Sequence, residues 1–319
     1  MASNNRVQTL AAHVLQAGPS KSSGASEIGR QRYGDAEWEI RCKLAMAYRV
    51  SNHYGWDELV FNHITAKVPG SEKLKGGPHF LINPFGLRFD EITASCLLKV
   101  DIDGNVVDSG TNMGPFGLHF LINPFGLPLL KQGFVVHSSV HAVRRFDEVT
   151  ASSKDCHVVW HNHHFDTTAC SITKFGLLPL SQEAIVLLRQ DVKYHPFEGS
   201  ATDLGERERI AKSLGPTSKV LILLNHGPVT AGATVEEAFL YMYLVTLAST
   251  WQARALAAVG GDLSKMNIPD DELLKAASER LKFEDLGKDS SATYNEAEAA
   301  WNGIARLMES KFGAENIYC

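Results

Sequence analysis

The chain has 319 residues, enough for one large or two ordinary domains. Its 44% hydrophobic and 21% charged residues are ordinary for a globular protein, and its net charge of -5 offers no basic footprint for nucleic acid. Five cysteines without CxxC spacing argue against a disulfide framework, so a reducing, cytoplasmic compartment is expected. No apolar run approaches the roughly 18 residues of a membrane span, and no basic region followed by an apolar core marks a secretory signal.

Residues 1–34 are rich in Ser, Ala and Gly and read as a flexible lead-in. Asp35 is placed to cap a helix through Trp38, Ile40, Leu44, Ala45 and Tyr48, with Gly55 as its stop. Leu59 to Val68 reads as a strand, ended by Pro69-Gly70. Phe80-Leu81-Ile82 is a second strand, and Leu97 to Ile102 a third before the turn Asp103-Gly104-Asn105. His79 to Leu87 then recurs letter for letter as His119 to Leu127. Arg88 to Ser95 recurs at Arg145 to Ser152 with one change, Ile92 to Val149. The unequal offsets rule out a single tandem duplication. Two readings stay open: copied loop insertions near 115–130 and 145–154, or two equivalent substrate loops.

Gly133 to His141 leads into a helix, and Val158-Val159-Trp160 reads as a strand running into His161-Asn162-His163-His164. On an extended chain residues i and i+2 share a face, so His161 and His163 can aim two imidazole nitrogens at one point. That is how an HxH pair grips zinc, copper, iron or nickel. His226 follows a second apolar run, Val220 to Leu224, beside Gly227, which permits close approach. Three protein ligands with an open position match a catalytic metal site better than a structural one. His164 points away from His163, and His141 reads as structural. Ser181 caps a helix after Pro179-Leu180, and Thr234-Val235-Glu236-Glu237 is a capping box opening a long helix that ends at Gly260-Gly261. Trp301, Ile304, Leu307 and Met308 at helical spacing place a C-terminal extension, 261–319, on the body. Strands bordered by long helices indicate an α/β layered domain over 35–260.

In chain order, Gly55-Trp56-Asp57-Glu58-Leu59, Asn62-His63-Ile64-Thr65-Ala66, Ile82-Asn83-Pro84 and Asp90 to Ser95 resemble the class II aldolase and adducin head-domain family. Val136 to His141, His161-Asn162-His163, Leu178 to Glu183 and Asn225-His226-Gly227 continue the match. The resemblance implies a single three-layer α/β/α sandwich with a largely antiparallel central sheet, commonly a homotetramer. It further implies zinc on His161, His163 and His226. The family's metal-linked glutamate falls on His137, and its phosphate-cradling serines fall near Val135 and Val136. Its Thr-Gly becomes Phe85-Gly86, leaving Asn62 and Gly86 as substrate-binding candidates and Glu183 at the place of a catalytic group.

His137 is read as a fourth ligand or a base, or as a helix-start histidine bonded to the backbone. Glu183 is read as catalytic, or as a carboxylate favoured by a helix N-terminus. Two functions follow as expectations. One is a metal-dependent lyase acting beside a carbonyl on a small, unphosphorylated carbonyl or hydroxy compound. The other is a non-enzymatic, self-associating adducin-like head domain with cytoskeletal partners.

Overall fold

Alternation along the strands sets the layers. The computed structural model describes residues 24–110, 129–143, 156–189, 191–199, 204–280 and 296–319, and contains an eight-stranded sheet. The strands are β1 (His63–Lys67), β2 (Phe80–Ile82), β3 (Leu98–Val100), β4 (Val106–Asp108), β5 (Val158–His161), β6 (Lys193–His195), β7 (Val220–Leu223) and β8 (Gly227–Gly232). Their spatial order is β4-β3-β2-β1-β5-β8-β7-β6. All pairs are antiparallel except β6 with β7.

The helices are α1 (Gly24–Tyr33), α2 (Asp35–Tyr54), α3 (Leu129–Val143), α4 (Phe165–Ile172), α5 (Gln182–Arg189), α6 (Leu204–Leu214), α7 (Val235–Ala258), α8 (Asp271–Arg280), α9 (Glu296–Phe312) and α10 (Ala314–Ile317). Side chains of successive strand residues point to opposite faces. Ile64, Ala66, Val158 and Trp160 accordingly join one core cluster with residues of α2, α7 and α9. Val159, Leu221, Val229 and Ala231 join a second with Val136 and Val140 of α3 and Ile210 and Leu214 of α6. Helices on both faces of a mainly antiparallel sheet make the expected α/β/α sandwich. Trp301, Ile304 and Met308 of α9 are buried in the first cluster, so α9 packs on the same core, while Leu307 is 48% exposed.

Several boundaries differ from the sequence reading. Asp35 is not the cap of α2: Gly34 holds that position without a side-chain bond, and Asp35 pairs instead with Arg30 at 2.8 Å. Helix α1 occupies Gly24–Tyr33 of the segment read as a lead-in, and residues 1–23 lie outside those described. The first strand begins at His63 rather than Leu59, because Leu59 adopts a left-handed φ of 51° and the Phe61 amide bonds back to Glu58 at 3.0 Å. The third strand stops at Val100, where Asp101 turns its carboxylate onto the amides of Asp103 and Asn105. Helix α3 starts at Leu129, so His137 is mid-helix and not at a helix start. Ser181 caps α5 by accepting from the Ala184 amide at 3.2 Å. Thr234 accepts from the Glu237 amide at 3.2 Å, as a capping box requires, and α7 ends at Ala258 just before the two glycines. The second copies of both repeats, 119–127 and 145–152, lie outside the described residues.

Candidate metal centre

Strand β5 ends at His161, and its partner β1 begins at His63, paired directly opposite. The next pair on the same face is Thr65 with Val159. His63, Thr65 and His161 therefore project from the face covered by α3, which carries His137 and His141. On the other edge of β5, His161 pairs with Val229 of β8, whose first residue follows His226. Asn225 takes a left-handed φ of 58°, turning the chain out of β7 so that His226 faces β5. At Gly227 an added Cβ would sit 2.4 Å from the Asn162 carbonyl oxygen. Only glycine permits this approach, which seats His226 beside the HxH segment.

The three imidazoles converge. The Nε2 atoms of His161 and His163 are 3.1 Å apart, and those of His226 and His163 are 2.8 Å apart. All three ligand atoms lie within 4.8 Å of one another, the one such histidine, cysteine or carboxylate group among the described residues.

Hydrogen-bond counting fixes which nitrogens carry protons. His161 Nδ1 faces the Pro228 carbonyl at 2.9 Å, which can only accept, so it is the protonated nitrogen and Nε2 is a lone pair. His163 Nδ1 donates to the Glu58 carboxylate at 2.5 Å, which in the neutral ring leaves Nε2 bare as well. A proton on His226 Nε2 can satisfy one of the two short contacts, but the His161–His163 contact then still sets lone pair against lone pair. A cation between the three nitrogens removes that repulsion, and outer partners on Nδ1 are how metal-binding histidines are held in place. The donor set fits a divalent metal.

Burial keeps His161 and His226 neutral. It pushes the His161 imidazole well below its ordinary value, with His226 and His163 adding to the effect. It lowers His226 to about 4, helped by His163. Neutral imidazole is the ligating form.

Behind the triad runs a second chain of buried groups. His141 Nδ1 faces the Cys156 carbonyl at 3.3 Å, and its Nε2 is 2.9 Å from the Thr65 hydroxyl. The same hydroxyl is 2.9 Å from His137 Nδ1. Because burial holds His141 at about 3, it is neutral, with its proton on Nδ1 facing the carbonyl. Thr65 must then give its single hydroxyl proton to His141 and accept from His137 Nδ1. This leaves His137 Nε2 as a buried lone pair with no hydrogen-bond partner. The ring centroid of His137 is 6.4 Å from that of His161.

The other sequence candidates are placed less closely. Asn62 is buried, donating to the Trp56 carbonyl at 3.1 Å, and its Oδ1 has no partner. Gly86 lies exposed in the turn after β2, beside Phe85, which packs on Phe61 with ring centroids 6.3 Å apart. Glu183 stands in the first turn of α5 with Oε2 buried and unpartnered, and no described hydrogen bond joins it to the triad. His164 initiates α4 and takes no part in the cluster. Glu58 and Thr65 were quoted above only as carriers of the resemblance. Thr65 shares a strand face with His63 at i+2, a readable signal, whereas Glu58 reaches His163 from an irregular turn that spacing cannot place.

Two outcomes follow. Thr65→Val, which keeps the shape but removes the hydroxyl, strands two buried imidazole nitrogens and costs about 1–3 kcal/mol. In nitrogen-15 NMR of the side chains it also releases His137 from its Nδ1-protonated form. An unchanged His137 tautomer, with a stability loss below about 0.5 kcal/mol, contradicts the relay.

The second outcome concerns pH. His141 and His226 are depressed in the folded state, so the unfolded chain binds more protons below its ordinary pKa of about 6.5. Metal-free protein therefore loses stability as pH falls from about 6.5 toward 4, and further toward 3 for His141, by up to about 1.4 kcal/mol per pH unit for each such group. Urea titrations across that window check it, and His141→Gln flattens the slope. A pH-independent midpoint contradicts the burial of neutral imidazoles.

Comparison with known proteins places this geometry in a family. The profile described as Class II Aldolase and Adducin N-terminal domain matches residues 42–253. A protein of Caulobacter vibrioides named provisionally as a class 2 aldolase is 42% identical over 231 residues, 72% of this chain and 77% of that one. Mouse alpha-adducin is 42% identical over 230 residues, again 72% of this chain but only 27% of the adducin. A crystal structure of an aldolase II superfamily protein from Pseudomonas syringae superimposes with a TM-score of 0.71 at 37% identity. It covers 88% of this chain and 96% of the other. The chain belongs to the class II aldolase and adducin N-terminal domain family.

Proposed function

We propose that the protein is a metal-dependent, aldolase-like carbon–carbon lyase acting next to a carbonyl on a small, unphosphorylated substrate. The observation that carries this reading is the convergence of three Nε2 atoms, two of them on rings held by partners on Nδ1. A binding scaffold gains nothing from an arrangement that sets lone pair against lone pair. His161, His163 and His226 would hold the cation, and zinc suits three imidazoles. A cation held there supplies Lewis-acid polarisation of a substrate carbonyl oxygen.

The remaining roles belong to the chain itself. In cleavage, the hydroxyl β to the carbonyl loses its proton, and the electrons of the breaking bond move toward the carbonyl oxygen. His137 Nε2, held as a bare lone pair by the Thr65 relay, is suited to take a proton or to serve as a fourth donor. Glu183 is the second acid–base candidate. Asn62, with an unpartnered amide oxygen, and the backbone at Gly86 are the substrate contacts.

Unphosphorylated substrates are favoured by the place where family phosphate contacts would fall. Val135 and Val136 offer no hydroxyl, and the hydroxyls of Ser138 and Ser139 are both taken by the Val135 carbonyl, at 3.1 and 2.6 Å. Phe165, 84% exposed, aligns with Ala169 and Ile172, 61% exposed, on one side of α4 directly after the HxH segment. An apolar stripe of this kind supports assembly with further copies, as a homotetramer. No described helix is long and apolar enough to cross a membrane.

A second reading rests on the 42% identity to mouse alpha-adducin. In it the domain is a non-enzymatic, adducin-like head serving oligomerisation and association with actin or spectrin.

Metal analysis separates the two. Purified protein reconstituted with zinc and then desalted retains about one ion per chain, and His161→Ala retains at least ten-fold less. Wild-type protein without stoichiometric metal eliminates the lyase.

A further inference from the structure

The HxH segment at the end of β5 delivers two of the three converging imidazoles, and the turn between β7 and β8 delivers the third. The set is only as fixed as the link between those two segments. Two rings are anchored on their far nitrogen, His161 by the Pro228 carbonyl and His163 by the Glu58 carboxylate. His226 differs. Among the described residues the only hydrogen-bond contact of its ring is Nε2 with His163. Its orientation therefore comes from its backbone, a turn in which Asn225 takes a φ of 58° and the His226 amide bonds to the Leu223 carbonyl at 3.2 Å.

Helix α4 braces that turn. It starts directly after the HxH segment, where the Asn162 side chain accepts from the His164 amide at 3.1 Å. Its first helical bond runs from the Thr168 amide to the His164 carbonyl at 2.8 Å. Thr168 is thus one turn into the helix, and its hydroxyl donates to the His226 carbonyl at 2.9 Å. Ser171, three residues on and so on the same side of the helix, offers one of the carbonyls left over at the helix end. It accepts from the Asn225 amide at 3.4 Å. Two consecutive residues of the turn are therefore gripped from one side of α4.

Helical serines and threonines commonly bond back to their own helix. Ser171 does so to the Thr168 carbonyl at 2.7 Å, Thr246 to Met242 at 2.8 Å and Ser249 to Val245 at 2.7 Å. Thr168 departs from this pattern, and the carbonyl that it takes belongs to a candidate ligand.

We propose that Thr168 is a positioning residue for the third ligand. Its hydroxyl locks the β7–β8 turn to the helix that continues the HxH segment, so the two parts of the ligand set are held at a fixed separation. The consequence for metal affinity rests on reading His161, His163 and His226 as one ligand set. The bracing of the turn does not, because neither bond involves a metal.

The test uses the full chain with Thr168→Val, which keeps the branched shape, Thr168→Ala as a second variant, and Thr168→Ser, which restores the hydroxyl. In chelator-treated protein, amide hydrogen exchange at Asn225 and His226 quickens about five-fold or more in the Val and Ala variants. Exchange at Ala231 of β8 stays unchanged, and the Ser variant matches the wild type. Zinc affinity, measured by competition with a chromophoric chelator, falls about ten-fold or more in the Val and Ala variants and is restored by Ser. In a His226→Ala background, Thr168→Val shifts the residual affinity by less than about two-fold, since it acts through His226. Unchanged exchange at the turn, or an equal loss of affinity without His226, overturns the proposal. Failure of the metal reading shows separately, as wild-type protein that retains no zinc while the exchange contrast persists.

Discussion

Strand β5 is hydrogen-bonded along both edges, to β1 through the His63–His161 pair and to β8 through the His161–Val229 pair. This double pairing fixes His161 in three directions and governs every other distance at the site. A slip of one residue on either side would turn Trp160 toward α3 and His161 into the aromatic core of Trp56 and Phe239. The large rings on one face thus hold the imidazole on the other. Because His226 immediately precedes β8, the same ladder carries the third histidine to the pair, provided that the residue after it is glycine.

The site is costly to build. His161 and His137 are buried in a neutral form, their proton-bearing nitrogens tied to a carbonyl and a hydroxyl, and their lone pairs turned toward a neighbouring imidazole or toward nothing. A fold selected for stability alone would replace such groups with apolar side chains of the same size. Their retention in a well-packed interior is the physical reason for reading the cluster as functional. The Thr65 relay extends this logic inward, since one hydroxyl settles the tautomers of two histidines at once.

Much of this was legible in the sequence, and the rest was missed for identifiable reasons. The period-two rule placed His161 and His163 on one face, and the apolar run before Asn225 placed His226 at a strand end. The layered α/β organisation followed from strand and helix patterns, and the resemblance supplied its antiparallel sheet. Glu58 was not readable, because its contact with His163 spans an irregular turn that distorts Leu59. His137 was taken for a helix start because the sequence before it, rich in glycine and phenylalanine, hides the beginning of α3. Asp35 failed as a cap because Arg30 competes for its carboxylate.

The central claim is that His161, His163 and His226 form one ligand set. The most direct measurement is anomalous diffraction at the zinc edge from crystals grown with zinc. The account predicts a single strong peak bonded to the Nε2 atoms of these three residues, with Glu58 and the Pro228 carbonyl still on the opposite nitrogens. A peak bonded elsewhere, or none with the three rings still in place, would contradict it.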